Sequence, residues 1–449
     1  MEFSRRQFLW SSGAATAAFC GFRSYVEGGR PDLRAKGFGD LVDDPRGVLN
    51  LPPGFSYVAF SRTGEAMDDG LLVPGAHDGM AAFPGPNGRT ILVRNHELDA
   101  YDYSKGAFGP DNVLYRNHPV PLYDPGRFTR PGLGGTTTLV YDTKARKLER
   151  HFLSLAGTWL NCAGGATPWG TWISCEETVQ RADGAIEMDH GYAFEVPASA
   201  EITVAPPFPL AAMGRFRREA VAVDPKSGIV YQTEDQTFGL FYRFIPNEPG
   251  RLSKGGRLQA LKLRGRGPQT SNRAGGPPIA VGETVDVEWI DLERVELPET
   301  ELAAQGFSKG AAVFDRNEGI IRDGDGFYFC STTGGAKSLG QVWRYQPEPG
   351  PGRLTLFIEP NQPTLLRNGD NLTVAPWGDL IVCEDYVGLG INRVVGVTPE
   401  GRLYTLALNV LNLSEFAGAT FSPDGTTLFV NIQRPGLTLA ITGPWEKHS

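Results

Sequence analysis

The chain has 449 residues, 41% of them hydrophobic and 10% aromatic, with a net charge of −8. That apolar content fills a packed core and excludes wholesale disorder, while the acidic balance excludes a nucleic-acid binder, which needs a basic surface to neutralise phosphates. Gly 57 and Pro 34 predict frequent turns and few long helices.

The chain opens Ser4-Arg5-Arg6-Gln7-Phe8-Leu9 and continues as an Ala-rich apolar run to about Phe22. This pattern predicts a twin-arginine signal over residues 1–27, and hence export by the twin-arginine translocase to a periplasmic or secreted location. Residues 28–50 read as an N-terminal arm and residues 51–449 as one domain. No later stretch approaches the roughly 20 apolar residues of a membrane span, so no stable membrane insertion is expected. Beyond Cys20 come Cys162, Cys175, Cys330 and Cys383. An even count suits disulfides in an oxidising compartment, but their strand positions also suit buried thiols or metal ligands.

One hairpin-like unit then occurs six times, at Asp78–Glu97, Cys162–Glu177, Glu219–Asp235, Glu318–Thr332, Asn371–Asp385 and Gly418–Gln433. Each copy has an apolar run, a Gly-containing turn, and an apolar strand ending in polar groups. The turns (Pro-Asn-Gly, Pro-Trp-Gly, Gly-Asp-Gly, Pro-Asp-Gly among them) supply the positive φ that tight hairpins require. A further short strand follows each copy, and a third follows most, starting near Arg146, Gly256, Gly352 and Gly401. The pattern predicts an all-β fold, a six-bladed β-propeller with inserted loops and a short helix over one face. A β-sandwich also has recurrent turns, but it need not repeat the same polar strand ends. One insert lies between Glu97 and Gly135; another, from about Gly265 to Gly310, carries the predicted helix at Asp291–Gly306.

The strand ends carry the chemistry. They read Asn95-His96-Glu97, Cys175-Glu176-Glu177, Thr233-Glu234-Asp235, Cys330-Ser331-Thr332 and Cys383-Glu384-Asp385, and the hairpin beginnings add Asp78, Glu219, Glu318, Asp370 and Asn371. In a propeller, equivalent ends meet at the central channel. So many carboxylates cannot all stay ionised together without cations. Oxygen ligands suit calcium, and a thiolate such as Cys175 suits iron or zinc. With six histidines in the chain, a His-rich zinc site is not expected. Cys330 and Cys383 are read as buried structural thiols.

The run Arg94-Asn95-His96-Glu97, the strand Gly170–Glu177, His190-Gly191-Tyr192 and Gly214–Ala220 resemble the PhoX family of bacterial alkaline phosphatases. So do Arg316-Asn317-Glu318-Gly319, Gly340–Trp343 and the ending from Glu415-Phe416-Ala417-Gly418 to Gly443-Pro444-Trp445. The resemblance implies an exported six-bladed propeller hydrolysing phosphate monoesters at an iron–calcium (Fe, Ca) cluster. By motif, Cys175 is the expected thiolate ligand of iron, with Glu219, Asp235 and Glu318 as further metal ligands. Glu97 and Glu177 are the expected calcium-side carboxylates, and Arg316 the phosphate-binding guanidinium beside Glu318. The expected partner is a small phosphate ester, and the expected state a monomer. Two positions depart from the family pattern: Arg218 stands where a His is expected, and Asp189 where an Asn is expected. The rival readings are a calcium-dependent lactonase-like hydrolase and a non-catalytic binding propeller on the same architecture.

Overall fold

In a computed structural model, the described residues are 33–447, except 100, 103–104, 129, 274–276, 297–300 and 349. The predicted signal over residues 1–27 lies outside them.

Each of the six predicted hairpins forms. Their first strands are His77–Pro84, Asn161–Ala166, Arg218–Val223, Asn317–Asp323, Gly369–Val374 and Phe416–Phe421. Each pairs antiparallel with a second strand: Thr90–His96, Thr171–Glu176, Val230–Glu234, Gly326–Ser331, Leu380–Glu384 and Thr427–Ile432 respectively. The last copy shows how local sequence makes the turn. Asp424 Oδ1 accepts hydrogen bonds from Ser422 Oγ at 2.6 Å and from Thr426 N–H at 3.1 Å, while Gly425 takes φ 72°.

Third and fourth strands extend these hairpins outward in a meander. His77–Pro84 leads through Thr90–His96 and Gly134–Asp142 to Lys147–Thr158, and the second copy stops at Ala193–Pro197. The third and fourth copies share one nine-stranded sheet, because Thr284–Asp291 pairs with both Gly256–Leu263 and Arg353–Ile358. That strand lies in the predicted insert and takes in Asp291, so the predicted helix does not start there; among the described residues the helix of this insert is Glu301–Ser308. The chain is closed by its beginning: Ser56–Arg62 pairs with Leu437–Thr442 as the outer strand of the last copy. Leu49–Asn50, in the predicted arm, pairs with Leu403–Asn409.

The first strands neighbour one another in copy order, and the sixth returns to the first, so they form a closed ring. The arrangement is all-β and propeller-like. Close approach within the ring depends on small residues. A Cβ at Gly165 would sit 1.9 Å from the Val221 carbonyl oxygen, and one at Gly79 would sit 2.5 Å from Ala163 Cα. Apolar side chains fill the space between adjacent sheets. Tyr231, Phe241, Phe329, Trp343 and Tyr345 pack between the third and fourth copies, and Tyr57, Ile381, Leu406, Leu428 and Ile441 between the fifth and sixth. Each such fully buried side chain contributes about 1.5–3 kcal/mol.

Candidate metal and active site

The ring has one acidic end. The second residue of the first five inner strands is Asp78, Cys162, Glu219, Glu318 and Asp370, and the sixth strand has Ala417 there. Every inner strand breaks register just past that point, between His77/Met80, Asn161/Gly164, Arg218/Val221, Asn317/Ile320, Gly369/Leu372 and Ala417/Thr420. A bulge re-aims the side chains beside it. Here it accompanies five ligand-type groups that converge on one cavity of about 590 Å³.

The strand ends contribute by splitting their polar pairs. The last residue of three second strands, Glu176, Glu234 and Glu384, turns into its own sheet. Glu176 accepts from Gly191 N–H at 2.8 Å, Glu234 from Leu240 N–H at 2.9 Å, and Glu384 from Arg367 N–H at 2.8 Å. Alternation then points the following residue the other way. Glu177 and Asp385 line the cavity, as do Glu97 and Gln433 at the corresponding places in the first and last copies. Asp235, equivalent to these, holds Arg316 at 2.8 and 3.0 Å.

The electrostatics are one-sided. Eight carboxyl groups line the cavity against the two guanidiniums of Arg316 and Arg434. Burial raises Asp78, Glu219, Glu318 and Asp370 well above the carboxylate range, and their mutual repulsion adds to it. Glu97 is pushed up to about 7, by burial against the opposing pull of Arg434. Two carboxyl pairs touch: Glu177 with Asp235, and Glu415 with Asp385. Such contacts need a shared proton or a cation. Three donor groups each bring ligand atoms within 4.8 Å of one another: Cys162–Glu177–Glu219, Asp78–Glu97–Glu415 and Glu219–Glu318–Asp370. Glu219 belongs to two of them.

Most of the predicted site assembles here. Glu97, Glu177, Glu219, Glu318 and Arg316 all line the cavity. Arg316, in a positive-φ conformation at 56°, is anchored between Asp235 and Glu318 at 2.8 and 2.9 Å. Cys175 is not brought to the cavity. It is fully buried in an apolar cluster with Ile173, Phe216 and Tyr242, because it lies within a second strand, which has the inner strand between it and the channel. The cavity thiol is Cys162, and burial, then Glu219 and Glu177, hold it protonated unless a cation lies beside it. Its signal was its place at the start of the second copy, in line with Asp78 and Glu219. Asp370 and Asp385 also line the cavity, as do Glu415 and Arg434, the neighbours of Phe416 and Gln433. The four cysteines among the described residues are free and buried, Cys330 and Cys383 included.

The two departures from the family pattern face elsewhere. The Arg218 guanidinium donates to Gln232 Oε1 at 2.8 Å and Gly214 O at 2.6 Å, and stacks on Phe216 at 4.1 Å. Asp189 accepts from Ala182 N–H at 2.9 Å and pairs with Arg181 at 3.7 Å. Its neighbour His190 is clamped between Glu176 at 2.7 Å and Asp124 at 3.1 Å. Burial disfavours that imidazolium, yet the two carboxylates win and raise it to about 9.

The family model described as alkaline phosphatase PhoX matches residues 36–150 and 134–436. Among solved structures, Pseudomonas fluorescens PhoX in complex with vanadate, a transition state analogue, is similar at TM-score 0.63 and 19% identity, covering 88% of this chain and 96% of that one. A putative 6-phosphogluconolactonase from Bacteroides uniformis is similar at TM-score 0.39 and 12% identity, over 84% of this chain and 88% of that one. No curated protein sequence matches the chain.

Proposed function

The chain belongs to the PhoX family of alkaline phosphatases and is a phosphatase, and we propose that it hydrolyses phosphate monoesters at a mixed iron–calcium centre in the acidic cavity of a six-bladed propeller. The observation that carries this reading is one thiol, Cys162, set among carboxyl groups that burial and repulsion prevent from ionising together. Cys162, rather than Cys175, is the thiolate for iron, with Glu177 and Glu219. Glu219, Glu318 and Asp370 form one oxygen-rich calcium group, and Asp78, Glu97 and Glu415 another. Cations bound there supply charge neutralisation on the phosphoryl oxygens and activation of water.

The chain's own residues position the ester. Asp235 and Glu318 fix the Arg316 guanidinium plane at the cavity wall, so its remaining N–H donors meet a phosphate oxygen without reorganisation. Gln433 donates to both Asp78 at 2.9 Å and Glu97 at 2.7 Å, setting the spacing of those carboxylates. The Arg5-Arg6 segment fits export through the twin-arginine route to the periplasm, and no helix among the described residues is long and apolar enough to cross a membrane.

The deciding experiment is elemental analysis of natively exported protein, paired with hydrolysis of p-nitrophenyl phosphate before and after chelation. Iron with calcium, and activity lost on chelation, is the expected result. Calcium alone without ester hydrolysis sinks the proposal and favours the non-catalytic reading.

A further inference from the structure

The cavity is acidic around most of its wall and apolar along one edge of its mouth. Tyr386, Val387 and Leu413 line it there. Beyond them Leu389 is 100% exposed and Val387 88%. Ile391 and Leu411, on the same two loops, are exposed as well. Clustered exposed apolar side chains beside a polar site mark a binding surface more often than a slack loop.

These loops are tied down from behind. Asn392, 1% exposed, accepts from Tyr386 N–H at 2.8 Å, and its amide donates to Tyr386 O at 3.4 Å and Leu413 O at 3.2 Å. One buried side chain therefore staples both apolar loops together. Arg367 stacks on Tyr386 at 4.2 Å and donates to Ile391 O at 2.6 Å. The second loop is held by Asn409, which accepts from Leu411 N–H at 3.0 Å, and by Asn412, which donates to Arg434 O at 2.7 Å. The polar groups face inward, Val387 and Leu413 are held at the cavity's edge, and Leu389, two residues on from Val387, stands in solvent.

We infer that this edge seats the apolar leaving group of a soluble alkyl or aryl phosphate ester. The inference rests on the phosphatase reading and names the substrate class for that site. A cavity of about 590 Å³ is in the range that takes a whole small-molecule ligand rather than a phosphoryl group alone. With the phosphoryl end toward Arg316, the rest of the ester leaves the cavity across Tyr386, Val387 and Leu413. A chain of net charge −8 is poorly suited to anionic membrane surfaces, which favours a soluble occupant. Hydrolysis breaks the ester P–O bond, with water giving its oxygen to phosphorus and a proton to the released alcohol.

The test compares kcat/KM for hexyl and ethyl phosphate, esters with matched leaving-group chemistry, on the metal-loaded enzyme. Wild type is expected to favour the hexyl ester by about tenfold, and a Val387→Ser/Leu389→Ser double variant to cut that preference to about threefold or less, mainly through KM. A preference unmoved in the double variant overturns the inference. So does an equal loss in Phe208→Ser, which alters an exposed apolar residue outside the cavity. Loss of binding to neutral phosphatidylcholine vesicles with the hexyl preference intact overturns it in favour of a membrane contact. If wild type hydrolyses neither ester, the phosphatase reading falls and takes this inference with it; if it hydrolyses both equally, only this inference falls.

Discussion

The two ends of the same six inner strands differ sharply. Before the bulge, the strands carry Asp78, Cys162, Glu219, Glu318 and Asp370. After it they carry Ala81, Gly165, Val221, Ile320 and Leu372, around a second cavity of about 380 Å³ that no carboxylate lines. Gly165 lets neighbouring strands approach closely in the ring, and apolar packing of this kind is indifferent to pH and to cations. The acidic end opposes closure unless protons or cations neutralise it. Packing that needs no cation is thus concentrated at one end of the channel and the proposed chemistry at the other, with the bulge as the boundary.

Glu219 offers the sharpest way to break this contrast, because it is shared by two donor groups. Glu219→Gln is expected to lower kcat/KM on p-nitrophenyl phosphate about a thousandfold, roughly 4 kcal/mol. The same change removes one of the repelling acids, so the chelated variant should melt higher than chelated wild type at pH 8. A variant that loses activity and also melts lower would show that Glu219 is structural.

At the end without carboxylates the expectation reverses. Gly165→Ala places a Cβ 1.9 Å from the Val221 carbonyl oxygen, so a strand must shift at a cost of about 2–3 kcal/mol. Denaturant midpoints should fall equally at pH 5 and pH 8, with or without calcium. Dependence of that loss on cation would place Gly165 in the metal site instead.

The acidic end also gives the metal-free protein a pH signature. Its carboxyl groups are raised above their unfolded values near 4, so across that window the folded state binds more protons than the unfolded state. Stability therefore falls as pH rises from about 4 through the raised values, Glu97 at about 7 among them. Chelated protein is expected to melt roughly 5 °C lower at pH 8 than at pH 5, and calcium at pH 8 to restore the difference. A melting temperature that rises over this range would mean the acids do not share one cavity.

The six hairpins were legible because each copy repeats its turn chemistry and its polar strand end, as in Pro423-Asp424-Gly425 before Gln433. The direction of each polar side chain was not. Glu176 and Glu177 look alike in sequence, and only strand alternation sends one to Gly191 N–H and the other to the cavity. Thr284–Asp291 alternates apolar and polar residues as a strand should, yet an insert length that suggested a loop and helix concealed it. The closing strand Ser56–Arg62 pairs with residues near the opposite terminus, and nothing local marks so distant a partner.

The thiols give the finest test of that boundary, since Cys162 and Cys175 lie in one hairpin. Cys162 opens the inner strand and faces Glu177 and Glu219, whereas Cys175 packs against Phe216 and Tyr242. Cys162→Ser should lose iron and with it the activity. Cys175→Ser should keep both and lose only about 1–2 kcal/mol, because it buries a hydroxyl in apolar surroundings. Iron content measured on the two purified variants separates the assignments directly. Iron lost from Cys175→Ser and retained by Cys162→Ser would return the ligand to the second strand, and the inner strand's bulge would no longer mark the edge of the metal site.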